Sequence, residues 1–263
     1  MVVARLVHGA HLNGFPFTEH CIALGLISAI MHDTGYIQSE TDQSGTGAKY
    51  TLTHIERSID FMEDYFQANG ISREDFRFCR NCLKCTGLNV NLKDIQFVSA
   101  ENEILGKILG TADLIGQMAD PNYLEKLPVL YEEFREGAVP GFDTELDLLK
   151  KTPDFWDFTQ KRFRQEFSNV DRYLKDHFRV RYGIARDLER DAIEHNINQL
   201  NYILEHHADE YRRYLQNGAA RAGQHDWSCM PTRKDCQPHC QDGCQVIDRL
   251  HHGWGPSMVM RLG

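Results

Sequence analysis

The chain has 263 residues, 41% hydrophobic and 25% charged, enough to bury a core in one large domain or in one domain with an extension. Its net charge of −9 lacks the basic excess of a general nucleic-acid binder, and no uninterrupted apolar run approaches a membrane span. The acidic balance leaves anionic substrates open, because a bound cation reverses the local field.

The N-terminus shows no long apolar core followed by a small-residue cleavage site, so cytoplasm is the expected compartment. Val3, Leu6, Val7 and Ala10 share one face, which predicts a helix over Val2–Leu12 that Asn13-Gly14 ends. Phe15-Pro16-Phe17 leads to Thr18, an N-cap for the apolar run Cys21–Met31. That run ends in His32-Asp33-Thr34-Gly35-Tyr36. Residues 39–49, rich in Gly, Ser and Thr, predict a loop. Thr53 and Glu56 have capping-box spacing, which puts His54 at the first position of a helix lasting until Gly70. Ser72 caps another helix through Phe76, Phe78 and Leu83, with Gly87 after its end, and Asn89–Phe97 is irregular or briefly extended.

Ile104, Leu105, Ile108, Leu109 and Ala112 restore the helical period through Asp113 to about Ala119. Asp120-Pro121 restarts the chain into a helix with Leu124, Leu127, Leu130 and Phe134, and Gly137–Asp143 marks a boundary. Beyond it, Pro153–Tyr182 and Leu188–Leu215 read as two long amphipathic helices separated by Gly183, with surface to spare for a homo-oligomer. No strand pattern competes, so the predicted class is an all-α bundle. From Gly218 the chain turns rich in Gly, His, Cys and Pro and loses periodicity, as a tail or small appended element does.

An adjacent His32-Asp33 pair at the end of an apolar helix is either a polar terminus or an imidazole and a carboxylate converging on one divalent cation. Asp113 lies in an otherwise apolar helix, where a carboxylate pairs with a cation, accepts hydrogen bonds or faces solvent. His54 opens its helix after a Gly-Thr-Gly loop, as a ligand or as an exposed first-turn histidine. Together His32, Asp33, His54 and Asp113 offer mixed nitrogen and oxygen donors on separate helices, a set suited to Mg, Mn, Fe or Zn.

The order of these residues on a helical frame resembles the HD-domain superfamily of metal-dependent phosphohydrolases. MHDTGYIQ matches the family's apolar run followed by HD-x-G, and GTGAKYTLTHIERSIDFM looks like the segment that gives a second histidine. LGKILGTADLIGQMADPNYLEKL looks like the closing helix whose Ala-Asp supplies the last ligand, so the resemblance covers roughly residues 1–135.

It implies an HD-domain helical bundle with additional C-terminal helices: a metal-binding core over 1–136, helices packed on it over 137–217, and a Cys/His-rich tail over 218–263. His32 and Asp33 would be the central ligands, Asp113 the closing one, and His54 a ligand or phosphate-side acid; Asp33 and His54 would carry the catalysis. The implied reaction is hydrolysis of a phosphate mono- or diester of a nucleotide or cyclic nucleotide by metal-activated water. Lys49, Arg57 and Lys107 are candidates for phosphate contacts, with solvated surface cations as the alternative.

The sequence departs from the family in two places. The family's first histidine is not where the pattern puts it: His8 and His11 lie near the end of the N-terminal helix, so an upstream segment would carry the ligand or it is lost. Where binuclear relatives often have His-His, this chain has Cys82-Leu83-Lys84-Cys85-Thr86, so a six-ligand site is not expected, and a di-iron oxygenase reading lacks histidines. The alternative function is a catalytically incomplete HD-fold protein that binds a nucleotide or a partner.

The eight cysteines read as thiols or metal ligands more readily than as a disulfide framework. Cys79, Cys82 and Cys85 share one helical face, and a packed stripe is preferred over an iron–sulfur or zinc site. Cys229, Cys236, Cys240 and Cys244, with His225, His239, His251 and His252 nearby, either close around zinc or stay free.

Overall fold

The apolar periods fold into ten α-helices in a computed structural model that describes residues 1–215; no strand occurs among the described residues. In chain order the helices are α1 (Val2–Leu12), α2 (Glu19–Met31), α3 (His54–Ala68), α4 (Arg73–Lys84) and α5 (Ala100–Met118), then α6 (Tyr123–Glu136), α7 (Glu145–Gln165), α8 (Tyr173–Tyr182), α9 (Leu188–His206) and α10 (Tyr211–Leu215). The zinc-or-thiol reading of Cys229, Cys236, Cys240 and Cys244 lies outside the described residues.

Five of the ten starts are set by short polar side chains that take up orphan backbone donors. Thr18 accepts from Cys21 N, Ser72 from Asp75 N, Ser99 from Asn102 N, Thr144 from Asp147 N, and Asp187 from the N–H groups of Glu189 and Arg190. Thr53 departs from this pattern. Its hydroxyl donates back to Tyr50 O at 3.4 Å and makes no cap bond, so the expected capping box does not form although α3 starts where predicted.

α5 is the axis of the core. Leu105, Ile108, Leu109, Ile115 and Met118 are all fully buried, and α1, α2, α4 and α9 pack around them. Burial of each such side chain stabilises the fold by roughly 1.5–3 kcal/mol before entropy is counted. The cysteine stripe lies at the α4–α5 contact: a methyl on Gly106 would come within 2.8 Å of Cys85 Sγ, so only glycine admits this approach. Cys79, Cys82 and Cys85 are completely buried, and burial raises all three thiols, Cys79 to about 11 and Cys85 to about 12. They are packing residues, protonated at neutral pH.

The two long C-terminal helices are shorter than predicted. Pro153 sits inside α7, which begins eight residues earlier at the Thr144 cap. The expected continuation to Tyr182 breaks at Ser168 and Asn169, both left-handed with φ 56° and 53°, and α8 turns back to pack on α1. Sequence periodicity misses the break because Phe163, Phe167, Val170 and Leu174 keep helical spacing and are all buried even across the turn. The second long helix likewise ends at His206, and a 3-10 turn over Ala208–Glu210 leads into α10.

Where α8 meets α1, His177 Nδ1 lies 3.1 Å from His8 Nδ1, and His177 Nε2 is buried without a partner among the described residues. Burial first, then the positive charges of His8, Arg5 and Arg181, push His177 down to about 4 from 6.5. The unfolded chain therefore takes up a proton that the folded one refuses between these values, and the contribution of His177 to stability falls as pH drops from 6.5 toward 4. Thermal unfolding of His177→Phe is expected to lose less Tm across that window than the wild type. Asp187, raised to about 6 by burial, works in the opposite sense and cancels in the comparison. An identical Tm loss in both proteins would remove His177 from the acid response.

Candidate metal centre

The site forms where α2 stops. His32 is the helix C-cap, still in helical conformation, and Asp33 precedes a 3-10 turn over Thr34–Tyr36. His32 Nδ1 is 2.9 Å from the carbonyl of Ala29, one turn back; a carbonyl only accepts, so Nδ1 carries the proton. The other ring nitrogen, Nε2, then faces two carboxylates: Asp33 Oδ2 at 3.2 Å and Asp113 Oδ1 at 3.5 Å. Asp113 reaches it from the middle of α5, with Gln117 Nε2 donating to its Oδ1 at 3.3 Å. The His32 and Asp113 side chains are about one-fifth exposed, so the cluster is near solvent but not in it.

His54 opens α3 beside this pair. Its Nδ1 donates to Thr51 O at 2.7 Å and its ring stacks on Tyr36, with centroids 4.5 Å apart and planes 16° apart. The two histidines thus share one device, an Nδ1 tied to a carbonyl three residues back that leaves Nε2 for other chemistry. His54 is close enough for its charge to be felt by Asp33.

Three further residues press the turn onto α3. Gly35 N donates to Ser58 Oγ at 2.8 Å, and the same hydroxyl donates to His32 O at 2.6 Å. Arg57 Nε donates to Gly35 O at 2.7 Å, and Arg57 also reaches Ile37 O at 2.8 Å. Gly35 touches α3 so closely that a methyl there would overlap His54 O and lie 2.8 Å from Ser58 N. Sequence reasoning missed Ser58. Its signal was a serine on the apolar face of α3, beside Ile55, Ile59 and Met62, where burial is complete.

The electrostatics follow from this geometry. Burial alone would lower His32, but the hydrogen bond and charge of Asp113, with the charge of Asp33, more than offset it and hold the imidazole at about 9. Burial raises the Asp33 carboxyl; His32 and His54 pull it down while Asp113 adds to the rise. Burial, then the charge of Asp33, raises the Tyr36 phenol, which stays neutral. The positive imidazole faces both carboxylates and offsets their charge, and a divalent cation would offset the same pair with more charge.

The donor types suit such an ion. Metal–ligand bonds near ~2.1 Å separate neighbouring donor atoms by about 3.0–3.4 Å, and the two His32–carboxylate separations, 3.2 and 3.5 Å, lie close to that range. As they stand, the side chains form a charge-paired cluster; among the described residues no group of three or more His, Cys, Asp or Glu is already arranged to hold a metal.

The candidate phosphate cations each have a protein partner. Lys49 pairs with Asp42 at 2.5 Å and reaches Ser44 O, while Arg57 holds the turn and lies over the Tyr50 ring. Lys107 pairs with Glu103 at 2.5 Å and bonds Ser168 Oγ at 3.0 Å. His8 is engaged with His177, and His11 is exposed near the end of α1.

Fold and site together define an all-α protein with a His-Asp-Asp cluster at the meeting of α2 and α5, flanked by a second histidine on α3. The chain belongs to the Npun_R2479-like family, whose model matches residues 31–175, more than half its length. The matched stretch opens one residue before His32 and takes in His54, Asp113 and the turn into α8. Among curated proteins and solved structures, none matches the chain.

Proposed function

We propose that the chain is a metal-dependent phosphohydrolase of the HD type, cleaving a phosphate mono- or diester of a nucleotide or cyclic nucleotide. The observation that carries this reading is His32 Nε2, oriented by the Ala29 carbonyl toward carboxylates from two different elements. His32, Asp33 and Asp113 would hold the cation, with His54 at its edge; Mg, Mn, Fe and Zn all accept such donors. When bound, the ion would supply a hydroxide at neutral pH and polarise the phosphoryl oxygen. Asp33 feels the charge of both histidines and would orient an attacking water. His54, with Nδ1 fixed on Thr51 O, presents the lone pair of Nε2, which would take up a proton and then hand it to a leaving oxygen. Among the described residues no helix is long and apolar enough to cross a membrane, and a small phosphorylated substrate in the cytoplasm is the setting this reading favours.

A second reading, a catalytically incomplete protein that binds a nucleotide or partner, is favoured by the engagement of Lys49, Arg57 and Lys107 with protein groups. Metal analysis separates the two. The hydrolase reading expects about one divalent ion or more per purified chain, lost in Asp33→Ala together with turnover of p-nitrophenyl phosphate or its bis-ester. A well-folded wild-type chain that takes up none of the four metals would overturn it.

A further inference from the structure

On the far side of α4 from the buried cysteines a cleft of ≈ 410 Å³ opens between the helix and the loop that follows it. Arg77, Arg80 and Lys84 line it from α4; three and four residues apart, they fall on neighbouring positions of one helical face. Asn89, Asn91 and Gln96 line it from the loop, and Asp94 is its one carboxylate.

Most cations among the described residues are engaged: Arg5 with Glu189, Lys49 with Asp42, Lys107 with Glu103, Lys151 with Asp147, Arg162 with Glu166. Arg77, Arg80 and Lys84 have no hydrogen-bond, ion-pair or ring partner among the described residues. Like charges at these spacings oppose the helix unless an anion lies between them.

The cleft is also held in shape. Asn81, buried in its floor, donates to Gln96 O at 2.9 Å and to Asn102 Oδ1 at 3.0 Å, tying the loop to both α4 and α5. Asn91 Oδ1 accepts from Lys93 N, which leaves the Asn91 amide nitrogen as a donor for a ligand.

We infer that this cleft is a second binding site, for a small polyphosphate-bearing ligand of nucleotide size, separate from the His32 cluster. Three unpaired cations match two or more phosphate groups, two of them guanidinium forks suited to phosphate oxygens. Amides at the loop wall and the Asp94 carboxylate suit the hydroxyl and amine donors of a nucleoside. The volume lies within the ordinary range for small-molecule sites. The site shares no residue with the metal cluster, so the inference stands whether or not the chain is a hydrolase.

The test is titration calorimetry with sodium tripolyphosphate and with ATP, in EDTA so that the metal cluster plays no part. Both probes are expected to bind the wild type, more weakly as salt rises. Arg77→Ala/Arg80→Ala, two exposed positions, is expected to lower affinity tenfold or more, and Asp94→Asn to raise that for tripolyphosphate severalfold. Lys161→Ala/Lys175→Ala, an equal charge change at two exposed positions elsewhere, is expected to leave it unchanged, as is Asp33→Ala. No binding up to millimolar probe would overturn the inference, as would equal losses in the two double variants or loss in Asp33→Ala. A tenfold preference for a single-stranded oligonucleotide over both probes would overturn the small-ligand assignment.

Discussion

Gly35→Ala is expected to destabilise the chain by roughly 3 kcal/mol or more, read as a fall in the denaturation midpoint at unchanged slope. The added methyl has nowhere to go: it would overlap His54 O and crowd Ser58 N, both backbone atoms of α3 and its start. Relief requires α3 to move away from the Thr34–Tyr36 turn. That would lengthen the bonds from Gly35 N to Ser58 and from Ser58 to His32 O, whose buried groups cost about 1–3 kcal/mol each when left unpaired. Gly116→Ala is the control. It lies within α5 with only Val2 in reach, 3.9 Å away, and is expected to be neutral or to add up to about 1 kcal/mol by helix propensity. Equal midpoints for the two variants would show that the turn does not depend on this contact.

On the hydrolase reading proposed above, Asp113→Asn is expected to lower metal affinity about 100-fold or more, and turnover with it, while leaving the fold in place. The substitution keeps size and removes the charge that faces His32 Nε2 at 3.5 Å. Gln117→Ala, which removes only the donor to Asp113 Oδ1, is expected to have a smaller effect, about tenfold, because it loosens the carboxylate without deleting it. Unchanged metal binding in Asp113→Asn would detach α5 from the site. An equal loss in both variants would mean that Asp113 acts only through its orientation.

Much of the fold was legible because helices write their faces into the sequence. Val2–Leu12 matches α1 at both ends, and Thr18, Ser72 and His54 mark the starts of α2, α4 and α3. The site was legible as residue types: His32, Asp33 and Asp113 do come together, and His54 stands beside them. The clamp was not. Ser58 acts through backbone groups of a turn distant in sequence, and such bonds leave no trace in periodicity. The α7–α8 break was hidden for the opposite reason, since its buried residues keep helical spacing where the backbone does not. The basic face of α4 was visible only as scattered charges, because its meaning depends on the loop that closes the cleft.

The Ser58 hydroxyl, bonded at once to the amide of Gly35 and the carbonyl of His32, has a mechanical consequence. With Arg57 gripping the same turn, the end of α2 and the start of α3 form one rigid block that carries His32, Asp33 and His54 together. Asp113 stands outside that block, on the helix at the centre of the core. Any small slide of α5 therefore leaves three of the four groups in register with one another and shifts Asp113 against all of them. The opening of the site is set by where the central helix stands against that block.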